Sequence, residues 1–278
     1  MERRRKWEDL AFDCLIGVFC KLGFEDFAVS IPFVCKSWHA ASLDPQCWRD
    51  LDFLELDFSK KSNFIARFKR LYRVQHFSFS SFMKLCVARS NGSVSKLRIP
   101  SLLGVSLHQD LVFASIECPK LKVLALPTLL WNDDKQLPEL ISRWKEMETL
   151  EMTWKPISFL QILEQIRLFC PNFCELNLCG FFNGRDAEAV IRCLPRLKTL
   201  LMSASFLRRD ELLVILEGCK ELAEVDVSRC RGLDVDDGIL KRAAKMIRFN
   251  CEGCKPDDNY GVNYYNYDDL FMELIFGY

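Results

Sequence analysis

The chain has 278 residues, of which 50% are hydrophobic and 27% are charged, and its 38 Lys and Arg balance 38 Asp and Glu. These proportions are typical of a globular protein with one large or two modest domains, and they exclude collagen-like and disordered chains. Because the net charge is zero, we expect no charge-driven binding to nucleic acid. We also expect no membrane partner, since no uninterrupted apolar run reaches the roughly 18 residues of a membrane span.

The N-terminal residues and the cysteines indicate the compartment. A basic cluster at residues 3–6 is followed by Trp7, Glu8 and Asp9 rather than by an apolar segment, so it does not open a secretory signal. The 14 cysteines are too sparse for a small disulfide-stapled secreted domain. We therefore expect reduced cysteines and a location in the nucleus or the cytoplasm.

A strongly apolar helix is predicted near the N-terminus, over Leu10 to Leu22. At about 100° per residue, its apolar side chains spread over an arc of roughly 180° or more. A helix that buries one face needs a stripe only a little wider than about 100°. The helices of this module are interrupted at Gly23, Pro32 and Asp44-Pro45, and a module of about 50 residues has a marginal core. We therefore expect a partner to cover part of the apolar surface.

The second half of the chain repeats the pattern apolar-x-x-apolar-x-apolar. Successive repeats start 24 to 27 residues apart, within the roughly 20 to 29 residues of a leucine-rich repeat. The first apolar positions are Val94, Leu121, Met147, Phe173, Leu197 and Leu222. Six matches in one register predict six short strands.

Segments with helical periodicity alternate with these strands. Phe159, Leu163 and Ile166 follow the i, i+4, i+7 spacing, and Asp186 and Asp210 predict the N-caps of the next two helices. A single strand-turn-helix unit cannot bury both of its apolar faces. We therefore predict an α/β fold in which the units stack into a solenoid, with parallel strands on the concave face and helices on the convex face.

Two further helices are predicted between the N-terminal module and the repeats, at residues 62–74 and 79–91, where they would join the two parts rigidly. The predicted organisation is a small helical module at 1–56, a helical connector at 57–93, repeats at 94–250 that end in a helix at 239–249, and a tail at 251–278. From residue 257 onward the tail has five acidic residues, many aromatic residues and no Lys or Arg. It could cap the solenoid, stay disordered or cover the concave face.

The cysteines of the repeats favour buried thiols. Three of them occupy one slot, three residues before the first apolar position: Cys118, Cys170 and Cys219. A zinc site is the alternative, formed by Cys170, Cys174 and Cys179 or by the C-x-x-C of Cys251 and Cys254. Neither set has a second pair at conventional zinc spacing. We therefore predict no metal and no other cofactor.

Two motifs follow the first helix: Val34-Cys35-Lys36-Ser37-Trp38 and Asp44-Pro45-Gln46-Cys47-Trp48. Together with the helix they resemble an F-box, and with the repeats the chain resembles plant-type F-box/leucine-rich-repeat proteins. The resemblance implies that the F-box docks on the Skp adaptor of a Skp-cullin-F-box (SCF) ubiquitin ligase, and that the repeats hold the protein to be ubiquitinated. The residues expected to contact the adaptor, or to support that contact, are Leu10, Cys14, Leu15, Val18, Phe19, Leu22, Val34, Trp38 and Trp48.

A substrate would lie on the concave face, where the side chains between the apolar strand positions point. The candidate residues there are Arg98, Glu151, Glu175, Asn177, Glu224 and Asp226. Their charges run from basic to acidic along the solenoid. We therefore expect the acidic end to select a basic or hydrogen-bond-donating patch, with a solvated charged face as the alternative.

No catalytic motif occurs in the sequence. The only histidines, His39, His76 and His108, do not lie beside a nucleophile motif, and no phosphate-binding or zinc-protease motif is present. We therefore predict a non-catalytic subunit whose partners are a Skp-family adaptor, through it a cullin, and a protein substrate. The alternative is a leucine-rich-repeat scaffold or ligand receptor that acts without a ligase.

Overall fold

The computed structural model describes residues 10–102 and 104–256. The basic cluster at residues 3–6 and the acidic tail from residue 257 onward lie outside the described residues. Within the described part of the chain, no helix is long and apolar enough to cross a membrane.

The sheet has eight parallel strands that follow one another in chain order. The strands are β1 (Asp50–Asp52), β2 (Lys96–Arg98), β3 (Val123–Leu126), β4 (Thr149–Met152), β5 (Glu175–Leu178), β6 (Thr199–Leu201), β7 (Glu224–Asp226) and β8 (Arg248–Asn250). All six predicted strands are present. Their central apolar residues lie in register, for example Leu97 beside Leu124 and Leu150 beside Leu176, and all four are buried. This stacked row is the inner layer of the core.

The helices form the second layer. They are α1 (Phe12–Phe19), α2 (Phe24–Val29), α3 (Lys36–Ser42), α4 (Asn63–Tyr72), α5 (Phe79–Ser90), α6 (His108–Glu117), α7 (Trp131–Ile141), α8 (Phe159–Phe169), α9 (Gly184–Cys193), α10 (Arg209–Gly218) and α11 (Asp237–Ala243). From α5 onward each helix lies between two strands in sequence and packs against the next helix. The predicted α/β solenoid is confirmed.

An aromatic core joins the N-terminal helices to the connector. Phe24 contacts Trp48 and Phe53 within the N-terminal module, at centroid distances of 6.3 and 5.4 Å. It also contacts Phe82 of α5 at 6.3 Å, and Phe53 contacts Phe79 at 5.3 Å. Because β1 also pairs with β2, the N-terminal module and the repeats share one continuous core.

The sequence did not predict two of the strands, β1 and β8. The repeat pattern is present at Trp48, Leu51 and Phe53 around β1, but 46 residues and the helices α4 and α5 separate its start from the next repeat. The last strand, β8, begins inside the segment 239–249 that was predicted as a helix, so the helix is present but its predicted end was wrong. Helix α11 ends at Ala243, and Phe249 belongs to a strand. The third apolar position of this repeat is a cysteine, which weakened the pattern.

Other helix boundaries also differ from the prediction. Asp186 is not an N-cap but the third residue of α9; Asn183 is the cap, and the two side chains form a reciprocal capping box. Asp210 lies inside α10, whose N-cap, Arg208, makes no side-chain capping bond. The first helix is shorter than the predicted 10–22, because α1 ends at Phe19 and the chain turns before α2.

Candidate partner-binding surfaces

The N-terminal module exposes several large apolar side chains. They lie on α1, on the turns on either side of it, on the 3-10 helix Ile31–Phe33 and just after α3. These side chains, which we call the exposed apolar face, are Leu10, Phe12, Val18, Leu22, Phe33, Val34 and Leu43, each between 37 and 57% exposed. Helix α1 packs on α3, and α3 packs on the 3-10 helix. The core of the module is therefore filled within this chain, and the module still carries an apolar surface.

The structure divides the nine residues predicted to contact or support the adaptor. Leu10, Cys14, Val18, Leu22 and Val34 are exposed. Such side chains can touch another protein without any change in the fold.

The other four predicted residues belong to the interior. Leu15, Phe19 and Trp48 are at most 2% exposed, so a direct adaptor contact by these three is ruled out in this conformation. Trp38 is partly buried with its ring 5.2 Å from that of Phe19. Trp48 donates its indole N–H to the Ser42 carbonyl over 2.8 Å. These residues support the exposed apolar face from beneath.

Three members of the exposed apolar face were missed by the sequence reasoning as contact residues: Phe12, Phe33 and Leu43. Phe12 belonged to the apolar arc of the first helix. Phe33 and Leu43 each lie at an end of a short helical segment, where periodicity gives no facing direction. Only the packing of α1 and α3 shows that these two side chains point outward.

On the sheet, each strand presents two outward side chains that lie in register along the solenoid. The first row is Asp50, Lys96, Val123, Thr149, Glu175, Thr199, Glu224 and Arg248, and the second row is Asp52, Arg98, Ala125, Glu151, Asn177, Leu201, Asp226 and Asn250. All six predicted substrate-binding residues lie in these two rows. The rows therefore define the concave candidate surface.

The basic end of these rows is neutralised within the chain. Arg98 pairs with Glu151 at 2.7 Å, across the intervening strand β3, and with Asp52 at 3.5 Å. Lys96 pairs with Asp52 at 3.2 Å and with Asp50 at 3.5 Å. The carboxylate of Glu151 is thus already engaged, and it does not act as a free selector of a basic partner.

At the acidic end of the rows, the carboxylate of Asp226 already has hydrogen-bond partners within the chain. Burial alone would raise the pKa of Asp226, but hydrogen bonds from the Ser228 side chain, from the Ser228 backbone N–H (2.8 Å) and from the Asn250 side chain (3.1 Å), with the nearby Arg248, hold it below its ordinary value. Asp226 therefore stays ionised. The role of Glu175, Glu224 and Asp226 in selecting a basic substrate stays a prediction.

We expect Glu175→Gln to raise the free energy of unfolding at neutral pH by less than about 1 kcal/mol, because the carboxylate is part-exposed. Burial, and then the charge of Glu151, raises the pKa of Glu175. A raised folded-state pKa means that ionisation opposes folding above that pKa, and protonation at lower pH removes the penalty. Urea denaturation should show that the variant has a higher free energy of unfolding than the wild type at neutral pH. This difference should become smaller at acidic pH. A variant that is less stable at neutral pH would contradict this expectation.

The cysteines of the predicted slot are buried. Cys118, Cys170 and Cys219 lie at 0 to 4% exposure, and burial raises the pKa of Cys118 and Cys170 to about 12 and that of Cys219 to about 11. The thiol of Cys170 donates to the Trp144 carbonyl over 3.4 Å. Across residues 10–102 and 104–256, no group of three or more His, Cys, Asp or Glu side chains is placed to hold a metal ion.

Comparison with known proteins identifies the N-terminal module: residues 7–50 match the F-box domain. With its F-box followed by a solenoid of parallel strands and outer helices, the chain is similar to plant F-box/leucine-rich-repeat proteins. The chain is 27% identical to the Arabidopsis thaliana F-box/LRR-repeat protein At3g48880, over 96% of this chain and 93% of the relative.

Two other Arabidopsis thaliana relatives carry the same family name. F-box/LRR-repeat protein 9 is 25% identical over 85% of this chain and 93% of the relative. F-box/LRR-repeat protein 23 is 24% identical over 89% of this chain, which spans 53% of that longer relative. The similarity therefore extends over both the F-box and the repeats.

Proposed function

We propose that this chain is the substrate-recognition subunit of a Skp-cullin-F-box ubiquitin ligase. Its exposed apolar face docks on a Skp-family adaptor and through it on a cullin, and the concave rows of the repeats hold the protein substrate. One observation carries the proposal: the aromatic core of the F-box is filled within the chain, and yet seven large apolar side chains of its described residues stay exposed. Clustered exposed apolar side chains mark sites of protein–protein interaction.

The surface can contribute substantially to a complex. Fully burying one exposed large apolar side chain contributes about 1.5 to 3 kcal/mol. The side chains of the exposed apolar face are 37 to 57% exposed, so each can contribute roughly half of that value on docking. Together they are comparable with the cost of association, which includes lost translational and rotational freedom and ordered side chains.

The chain contributes to ubiquitin transfer by position, not by chemistry. Reactive groups held at a fixed distance and angle gain a large rate advantage over groups that meet by diffusion. The contacts of Phe24 and Phe53 with α5, together with the pairing of β1 and β2, fix the F-box relative to the substrate-binding rows. The chain itself needs no catalytic residue and no cofactor for this role, and it acts in the nucleus or the cytoplasm.

Substitution of Val18 tests the proposed docking. We expect Val18→Asp to weaken binding to a purified Skp adaptor by about 10- to 100-fold, because it removes one buried apolar contact and places a carboxylate in the interface. Val18 is exposed, so the fold should stay intact. The measurement is a titration by calorimetry, with circular dichroism to verify folding.

Ile157→Asp is the matched control. Ile157 is 69% exposed on the outer side of the repeats, away from the F-box, and this variant should bind the adaptor as the wild type does. If Val18→Asp and Ile157→Asp bind equally well, the exposed apolar face is not the docking site. If the wild type does not bind the adaptor at all, the alternative of a ligase-independent scaffold or ligand receptor replaces the proposal.

A further inference from the structure

The last repeats carry a second parallel ladder, beyond the carboxyl ends of the strands. Phe181 pairs with Phe206, Phe206 with Arg231, and Arg231 with Lys255. Backbone hydrogen bonds of 2.8 to 3.0 Å hold each step, for example from the Arg231 N–H to the Ser205 carbonyl and from the Lys255 N–H to the Cys230 carbonyl. The ladder forms a straight edge of about 14 Å, given three steps of about 4.8 Å.

The side chains of this ladder face outward in one row. The neighbours Ser205 and Cys230 are buried, whereas Arg231 and Lys255 are exposed, which is the alternation of a strand. The rings of Phe181 and Phe206 are stacked at 4.7 Å and 4°, and Arg208 lies over the Phe206 ring at 6.0 Å. We call Phe181, Phe206, Arg208, Arg231 and Lys255 the basic ledge.

The cations of the basic ledge are not neutralised within the described chain. Arg208, Arg231 and Lys255 are all exposed and have no ion pair among residues 10–102 and 104–256. Their neighbour Arg209, in contrast, pairs with Asp236 at 2.7 Å. Three positive charges beside an aromatic stack thus form a surface that suits an acidic segment with aromatic or apolar side chains.

The chain itself contains a segment of this chemistry, and it starts at the ledge. The described residues end at Pro256, next to Lys255, and residues 257–278 follow. This segment has five side-chain carboxylates, no Lys or Arg, and twelve Tyr, Phe, Leu, Ile, Met or Val side chains after Asn259. Its 22 residues span up to about 70 Å when extended, several times the length of the ledge.

We propose that the acidic segment 257–278 of this chain binds the basic ledge. Its carboxylates pair with Arg208, Arg231 and Lys255, and its aromatic side chains extend the stack of Phe181 and Phe206. Because the segment is tethered at the end of the ledge, its effective concentration there is in the millimolar range, so weak individual contacts suffice.

Zero-length cross-linking in the full chain tests this proposal. A carbodiimide joins a carboxylate to a lysine amine only when the two groups touch. The variant Arg231→Lys keeps the charge of the ledge and provides an amine in its middle. Exposed lysines on the other side of the same repeat, Lys241 and Lys245, are controls for position 231, since they are closer to the tail in sequence than it is. The carboxylates to follow by mass spectrometry are Asp268, Asp269 and Glu273.

We expect these carboxylates to cross-link to position 231 and to Lys255 about ten-fold more often than to Lys241 and Lys245. The excess should vanish near 1 M salt, where the Debye length falls to about 3 Å. Arg231→Glu should reduce the cross-links to Lys255 by about five-fold, whereas Lys241→Glu should leave them unchanged. Equal cross-linking to all four positions in a chain with wild-type circular dichroism would overturn the proposal.

Discussion

Replacing Asp186 with alanine is expected to lower the free energy of unfolding by about 3 to 5 kcal/mol. The Asp186 carboxylate lies 2.6 Å from the Lys155 ammonium, and the two side chains are only 5 and 14% exposed. The ammonium also lies over the rings of Phe159 and Phe182, at 5.7 and 5.3 Å. Without the carboxylate, a nearly buried positive charge loses its only anionic partner among the described residues.

The local backbone explains why the pair cannot simply relax. Gly180 has a φ of +151°, and a Cβ at that position would lie 2.7 Å from the Lys155 Cβ. This close approach confines Lys155 between neighbouring repeats. Asp186 also accepts the Asn183 backbone N–H at 3.0 Å, so the alanine variant loses part of the α9 capping box as well.

Urea denaturation followed by circular dichroism measures this effect, with Glu164→Ala as the control. Glu164 pairs with Arg192 at 2.8 Å, but the side chains are 33 and 62% exposed, so its loss should cost at most about 1 kcal/mol. Adding Lys155→Met to Asp186→Ala should restore most of the lost stability, because it removes the unpaired charge. Equal effects of Asp186→Ala and Glu164→Ala would show that burial does not strengthen this pair.

The repeat pattern predicted the fold because it reflects the one layer that every unit must bury. Leu97, Leu124 and Leu150 occupy the same register position, and a polar residue at any of them would leave a gap in the row. The first and last strands of the sheet were not predicted from this pattern. Strand β1 directly follows the N-terminal helices in sequence and is separated from the next repeat by α4 and α5. Strand β8 is followed by Cys251, where the predicted repeats have a larger apolar residue.

The charges of the concave rows could be placed from the sequence, but their pairing could not. Register puts Arg98 on β2 and Glu151 on β4, two strands apart. Their 2.7 Å contact exists because Ala125, between them on β3, is too small to block the arginine side chain. A small residue that allows an ion pair across a strand gives no signal in the hydrophobic periodicity. For that reason the sequence showed the order of the charges along the rows but not their pairing.

In the F-box, too, the sequence does not show which of the apolar side chains are exposed. Leu15 and Val18 are three residues apart in one apolar helix, and the sequence gives both as candidate contacts. Leu15 packs inward, in a helix that contacts α3 and the 3-10 helix Pro45–Trp48, whereas Val18 is 40% exposed. The excess of apolar surface was visible in the sequence, but its division between core and surface depends on how short helices pack.

Substitution of Leu15 with aspartate is therefore expected to unfold the F-box rather than to probe docking. The side chain is 1% exposed, so the variant loses the burial of a leucine, at about 2 to 5 kcal/mol, and adds the desolvation of a carboxylate. The sum exceeds about 4 kcal/mol, more than a small module can lose. Hydrogen exchange should show loss of protection over residues 12–48, with the amides of β4 to β6 still protected.

Leu15→Asp and Val18→Asp should both lose adaptor binding, and hydrogen exchange separates the two causes. Val18→Asp should keep wild-type protection throughout the F-box, because the new carboxylate remains in water. Wild-type protection in Leu15→Asp would show that Leu15 is not part of the core. If the Val18→Asp variant is fully protected and binds the adaptor with wild-type affinity, Val18 does not contact the adaptor. The docking surface would then lie on another part of the module.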